Sequence, residues 1–147
     1  MFKVIVYLLV GIPVMSYVQD YGCATVGASM ESSLFDAMKN DLNVNLSTII
    51  KDKTKVEILD VSSVSKLYAE SLAKIDYEKD KARNKTEMLD EGSYFASYYE
   101  NQVKSIVAKY TYINNDRKKD VFIASSLMNA DECSVRFNGY IILSREF

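Results

Sequence analysis

The residue types that most often do chemistry in proteins are thinly represented in this chain. Its 147 residues include 11 Tyr and 2 Cys but no His. Histidine is the usual general base and the commonest protein ligand of transition metals. Carboxylate pairs such as Asp90 with Glu91 are adjacent in sequence, so on a helix or strand they diverge instead of facing each other across a cleft. The sequence therefore predicts no catalytic residues and a protein that is not an enzyme.

One stretch places oxygen-bearing side chains at the spacing of a calcium-binding loop. From Asp76 to Glu87, acidic or amide oxygens stand at positions 1, 3, 5, 9 and 12, in the order of an EF-hand. However, Lys81 occupies position 6, where the sharp turn requires Gly, and Arg83 occupies position 8, where an apolar residue is typical. These and other cations in the window oppose a divalent ion. We expect a solvated, charged segment there, with no bound metal and no cofactor.

The N-terminus has the pattern of an export signal. Lys3 supplies a positive charge, and residues 4–15 form an apolar run that is too short for an ordinary membrane-spanning helix. The pattern places cleavage after Ser16, which gives a signal peptide over residues 1–16 and a single mature domain over 17–147. Two alternatives stay open: a buried N-terminal element of a cytoplasmic protein, and an anchor that is retained in the membrane.

Two cysteines remain after such a cleavage, Cys23 and Cys133. An even number of cysteines in an oxidising compartment predicts a disulfide, which here would close a long loop between the two ends of the domain. The alternative is a pair of buried free thiols.

Net charge limits the class of partner. The formal net charge is −2, with both signs spread along the chain. Since no basic field is available to neutralise phosphates, we expect no nucleic-acid binding. The cations at Arg117, Lys118 and Lys119 are compatible with the charged rim of a binding surface and equally with a solubilising turn.

A cluster of tyrosines is the strongest candidate for a partner-binding surface. Tyrosine is enriched at protein interfaces, although it also packs helices onto sheets with its hydroxyl in solvent. The candidate residues for contact with another protein are Tyr94, Tyr98, Tyr99, Tyr110 and Tyr112.

Hydrophobic periodicity predicts two helices. Apolar residues from Met30 to Leu42 recur on one helical face, and a second helix begins at Gly92 and Ser93 and continues toward Ile106. Residues 64–77 fit a helix and a strand about equally, and we favour a strand.

Alternating apolar residues predict strands in the remaining segments. Asn138 and Gly139 are typical of a two-residue hairpin turn, which would place Cys133 on the core side of a regular strand. The other predicted strands cover residues 55–61, 108–113 and 121–125, and the hairpin strands cover 133–137 and 140–144.

Together these patterns predict an α+β fold, in which an N-terminal helix and a second helix pack on an antiparallel sheet of four or five strands ending in a β-hairpin. We expect a secreted or periplasmic, non-catalytic protein whose partner is another protein. The specific hypothesis is an inhibitor or immunity-type protein that acts on a toxin or hydrolase outside the cytoplasm. The alternative is a structural or accessory subunit of an envelope or surface assembly. Membrane association is expected only if the leader is retained as an anchor.

Overall fold

The computed structural model describes residues 21–83 and 86–147. Its three α-helices pack with one four-stranded antiparallel sheet, so the expected α+β fold is confirmed. The predicted signal peptide, residues 1–16, lies outside the described residues, and its cleavage stays a prediction. In chain order the elements are α1 (Ser29–Leu42), β1 (Lys55–Ser63), α2 (Lys66–Ala82), α3 (Glu91–Tyr99), β2 (Lys104–Ile113), β3 (Lys119–Met128) and β4 (Arg136–Ser144).

The sheet is a meander in which each strand pairs with the next along the chain, in the order β1-β2-β3-β4. The central pair, β2 and β3, is fully regular from Lys104 opposite Met128 to Ile113 opposite Lys119. The edge strands β1 and β4 both contain irregularities in register. Bulges of this kind bend and twist an edge strand.

Helix α1 covers one side of the sheet, which we call the inner face. Alternate residues of β2 and β3 point to this side, and Tyr110, Tyr112 and Phe122 are fully buried there. The apolar stripe of α1 packs against them, as its periodicity predicted. This stripe consists of Met30, Leu34 and Met38.

Residues 64–77, for which a strand was favoured, instead belong to helix α2. The Ser65 side chain accepts a hydrogen bond from the Tyr68 N–H and caps the helix. Ala69, Leu72 and Ala73 then form the buried stripe. The strand prediction was wrong because Ser65 caps a helix at this point, and because the residues that are buried by tertiary packing recur at the helical period.

Helix α3 is shorter than the pattern predicted. It begins after Asp90, whose carboxylate accepts a hydrogen bond from the Ser93 N–H, and it ends at Tyr99. Asn101 and Gln102 then adopt left-handed backbone conformations, which stop the helix before β2 starts. The apolar residues beyond this break, up to Ile106, therefore lie in or beside the sheet.

The prediction of a hairpin turn at Asn138 and Gly139 was also wrong. Both residues lie inside β4, where Gly139 pairs with Ser125 at a φ of 112° and Asn138 is the extra residue of a bulge. Asn and Gly tolerate unusual backbone angles, and here that tolerance allows a bulge within β4 and not a turn. The final antiparallel pair is β3 with β4, joined through residues 129–135.

Cys23 and Cys133 form the expected disulfide, with Cα atoms 5.0 Å apart and a sequence separation of 110. Cys133 lies in the connection before β4 and not on a regular strand, but it still packs against the inner core. The bond therefore ties the first described turn, Tyr21–Ala24, to the start of the last strand.

Candidate functional site

Among residues 21–83 and 86–147, only the α2–α3 hairpin covers part of the side of the sheet opposite α1. Since neighbouring residues of a strand point to opposite sides, Val107, Ile123, Ser125 and Ile141 share this side, and we call these four residues the outer face. They line an open depression of about 330 Å³. Neither hydrophobic cluster among residues 21–83 and 86–147 includes Val107, Ile123 or Ile141. The depression is thus an apolar, concave surface exposed to solvent.

The helical hairpin of α2 and α3 covers only one end of this side of the sheet. Leu127, the next outward residue of β3, is fully buried beneath the hairpin. Its neighbours form a second hydrophobic cluster, whose buried members are Val64, Ala69, Leu72, Ala73, Tyr98 and Val103.

A chain of polar contacts runs from the hairpin to the border of the depression, and we call it the Asp76 network. The Arg136 guanidinium donates to both Asp76 carboxylate oxygens, from Nε at 2.5 Å and from Nη2 at 3.1 Å. The Tyr98 hydroxyl donates to the same carboxylate at 2.8 Å. Arg136 also donates to Asn138 Oδ1 at 2.6 Å, and the Asn138 amide donates to the Ser125 hydroxyl at 3.3 Å. The network therefore fixes the position of one outer-face residue, Ser125.

The electrostatics of this network favour charged Asp76. Burial alone would raise the pKa of Asp76, but the hydrogen bonds from Arg136 and Tyr98, with the positive charge of Arg136, outweigh burial and hold that pKa below its usual 3.8. Burial and the bond to Asp76 raise the pKa of Tyr98, so its hydroxyl stays protonated and remains a donor. The three side chains therefore form one hydrogen-bonded unit at neutral pH.

The structure divides the five candidate tyrosines into different environments. Tyr94 donates to Asp80 at 2.5 Å and Tyr98 is buried in the Asp76 network. Tyr99 stacks on Phe95, with ring centroids 5.2 Å apart, and keeps 41% of its surface exposed. Among the five, Tyr99 has the ring most available to another molecule.

The prediction that Tyr110 and Tyr112 contact a partner needs correction, because both rings are fully buried beneath α1. The Tyr110 hydroxyl donates to the Ala24 carbonyl at 3.0 Å. Burial, and secondarily the charge of the nearby Glu31 carboxylate, raises the pKa of both tyrosines. They build the core, and an external partner cannot reach them in the folded protein.

In the described part of the chain β4 is an edge strand, and it borders the outer face. Ile141, Ile142 and Leu143 expose 62%, 41% and 54% of their surfaces. The opposite edge, β1, carries the charged side chains of Lys55 and Glu57. Charged edge strands resist pairing with other chains, whereas an apolar edge invites it.

The outer face was not predicted from the sequence, although the apolar pattern of β3 indicated it. Val121 and Ile123 alternate with buried Phe122 and Ala124, so this strand is apolar on both sides. A strand that is apolar on both sides is typical of a sheet that is covered on both faces. Among the described residues, α1 covers the inner face, whereas on the other side the α2–α3 hairpin covers only one end of the sheet.

The remaining sequence hypotheses concern metals and membranes. Asp76 and Asp80, which began the calcium-like spacing, lie on α2 and accept hydrogen bonds from Tyr98 and Tyr94. The described part of the chain contains no group of three or more acidic or cysteine side chains arranged to hold a metal ion. No helix within residues 21–83 and 86–147 has the length and apolar character needed to cross a bilayer.

Comparisons with protein-family models, with curated proteins and with solved structures returned no match.

Proposed function

We propose that this chain is an exported, non-catalytic binding protein that docks another protein on its outer face. Within that class we propose an inhibitor or immunity-type protein that acts on a toxin or hydrolase outside the cytoplasm. The outer face carries the proposal, because it joins an apolar, concave floor to a hydrogen-bonded polar border. Protein-binding sites commonly combine an apolar centre with a polar rim.

The disulfide supports the proposed compartment. A bond between Cys23 and Cys133 is compatible with an oxidising environment outside the cytoplasm, where such bonds form and persist. Within the exported class, we propose a secreted or periplasmic location on the strength of the apolar leader at residues 4–15.

The pairing of the polar groups supports binding over catalysis. The Asp76 carboxylate accepts hydrogen bonds from Arg136 and Tyr98 and has a lowered pKa. A general base needs a pKa near the working pH and a free lone pair directed at substrate. Asp76 is better suited to holding the α2–α3 hairpin against β4.

The apolar edge of β4 favours a second candidate function, a structural or accessory subunit of an envelope or surface assembly. Addition of a strand from another chain would extend the sheet and cover Ile142 and Leu143. The two candidates differ in stoichiometry, because an inhibitor forms a closed complex with a different protein, whereas such a subunit adds further copies of itself.

Affinity capture from the native host, followed by light scattering of the purified complex, distinguishes the two candidates. The inhibitor proposal expects a one-to-one complex that is weakened by Ile141→Glu. The matched control is Leu67→Glu, since Leu67 is 75% exposed on the solvent side of α2. Self-association of the purified chain with no heterologous partner would support the assembly subunit instead.

A further inference from the structure

Two segments that are distant in sequence meet at one end of the sheet. Ile49 forms an isolated bridge with Asn114, and the Ile50 N–H donates to the Ile113 carbonyl at 2.8 Å. The Asn115 N–H donates to the Thr48 carbonyl at 2.9 Å. These contacts bring the start of β1 beside the β2–β3 turn. Six cations share this end of the molecule, which we call the basic end: Lys51, Lys53, Lys55, Arg117, Lys118 and Lys119.

The basic end has a net charge opposite to that of the whole chain. Residues 51–55 and 115–119 carry six cations and two carboxylates, Asp52 and Asp116, which gives these segments a net charge of +4 in a chain of net charge −2. The Glu146 carboxylate also lies at this end, where it accepts a hydrogen bond from the Lys119 N–H at 2.7 Å. All six cationic residues are exposed. Across the described ranges, none of the six forms an ion pair with a carboxylate; the pairs found there involve Lys66, Lys109 and Arg136.

The β2–β3 turn holds its cations in a defined arrangement. Asn114 is buried, and its side chain accepts a hydrogen bond from the Lys118 N–H at 2.9 Å. The Arg117 N–H donates to the Asn114 carbonyl, and Arg117 adopts a left-handed φ of 62°. Glycine is the residue that takes this conformation at least cost, so an arginine here is not explained by turn stability.

The basic end is continuous with the outer face. Along β3, the outward residues run from Ser125 and Ile123 to Val121, and Lys119 follows at the start of the strand. The Asp76 network therefore borders one end of the outer face, and the basic end borders the other. A protein of ordinary size that docks on the depression would also reach the cations.

We propose that the basic end binds an acidic surface on the protein partner, next to the apolar contact made by the outer face. This inference rests on the proposed function for the identity of the partner, and it adds the partner's chemistry. Complementary charge at the rim of an interface steers association and selects against wrong partners.

The composition of the basic end favours a protein over a membrane or a nucleic acid. Residues 51–55 and 115–119 contain no apolar or aromatic side chain that could insert into a bilayer or stack on bases. Asp52 and Asp116 also lie among the cations. A protein surface can place its own cations opposite these two carboxylates.

The test measures binding of the oxidised full chain to fluorescently labelled poly-L-glutamate by anisotropy, at low salt and at about 150 mM salt, where the screening length is about 8 Å. The test variant is Arg117→Gln/Lys118→Gln/Lys119→Gln. The control is Lys39→Gln/Lys74→Gln/Lys104→Gln, which removes the same charge from scattered exposed positions. We expect the test variant to bind at least about tenfold more weakly and the control to stay within about twofold of the wild type.

Three outcomes of this assay would overturn the proposal: no binding of poly-L-glutamate at low salt, an equal loss in both triple variants, or binding to phosphatidylglycerol vesicles that is tighter than binding to poly-L-glutamate and is abolished in the test variant. The last outcome would assign the basic end to a membrane. Failure here is separable from failure of the proposed function, because that function is tested at Ile141 with the captured partner. A partner that is lost with Ile141→Glu, while its binding is unaffected by the Arg117→Gln/Lys118→Gln/Lys119→Gln variant, would retain the proposed function and contradict this inference.

Discussion

Arg136 and Asp76 are 60 residues apart in sequence, yet the Arg136 guanidinium donates hydrogen bonds to both oxygens of the Asp76 carboxylate. Only 17% and 18% of their side-chain surfaces are exposed. Their pair fastens the α2–α3 hairpin to the edge strand β4, and thereby fixes one border of the outer face.

A double-mutant cycle with Asp76→Asn and Arg136→Gln tests the strength of this pair. Each single variant leaves a partly buried charge without its partner, so we expect each to lower the free energy of unfolding by about 2–4 kcal/mol. The coupling energy should exceed about 1.5 kcal/mol. The matched cycle uses Lys66→Gln and Glu70→Gln, an exposed pair on α2, and should give about 0.5 kcal/mol or less. Equal coupling in both cycles, from urea denaturation, would show that the Asp76 pair is not a fastening contact.

The lowered pKa of Asp76 predicts a loss of stability in acid. The folded protein holds this pKa below 3.8, whereas in the unfolded chain it returns to about 3.9. The contribution is therefore complete above about pH 5 and is lost as the pH falls through the lowered, folded-state value. We expect the free energy of unfolding to fall less steeply between about pH 4 and pH 2 in Asp76→Asn than in the wild type. Parallel curves for the two proteins would contradict this assignment.

The buried tyrosines predict a loss of stability in alkali. Burial raises the pKa of Tyr112 above that of an unfolded tyrosine, so its contribution is complete below about pH 10 and is lost at higher pH. We expect Tyr112→Phe to reduce the slope of unfolding free energy against pH above that value.

At neutral pH, two tyrosine variants should differ. The Tyr112 hydroxyl lies near Glu31 but makes no hydrogen bond of ordinary geometry, so its removal should change stability by less than about 1 kcal/mol. Tyr110→Phe loses the bond to the Ala24 carbonyl and should cost about 1–2 kcal/mol. Urea denaturation of both variants measures the difference, and a larger cost for Tyr112→Phe would refute this description of the core.

The disulfide predicts a large difference between the oxidised and reduced protein. A bond that closes a separation of 110 residues stabilises a small domain by about 2–5 kcal/mol. Addition of a reducing agent should shift the urea midpoint of the wild type downward by a corresponding amount. The Cys23→Ala/Cys133→Ala variant should start at the lower midpoint and show no response to the reductant. An unchanged wild-type midpoint would mean that the bond does not form in the purified protein.

Predictions from the sequence mostly succeeded where the contacts join residues close in sequence, and they mostly failed where the contacts join distant residues. The stripe of Met30, Leu34 and Met38 is local and predicted α1 correctly. Two other local signals, the apolar spacing of residues 64–77 and the Asn138-Gly139 pair, gave wrong predictions. Residues 64–77 fitted two periods, and the packing of α2 against Tyr98 decided between them.

The candidate site was harder to predict because its contacts join distant parts of the chain. No local pattern pairs Asp76 with Arg136, and Asn138, which resembled a turn residue, instead bonds to Arg136 and Ser125. Tyr110 and Tyr112 could not be separated from the more exposed Tyr99 without the strand register, which turns both residues inward.

The most direct test of the account is the affinity of the captured partner for Ile141→Glu, measured by calorimetry beside Leu67→Glu and the wild type. Both substitutions place a carboxylate at an exposed apolar position, 62% exposed at Ile141 and 75% at Leu67, so all three proteins should unfold at similar urea concentrations. We predict that Ile141→Glu weakens one-to-one binding by at least about 30-fold, which corresponds to the ~2 kcal/mol of an interface hot spot. Leu67→Glu should bind as the wild type does. Equal affinity of Ile141→Glu and the wild type would contradict docking on the outer face.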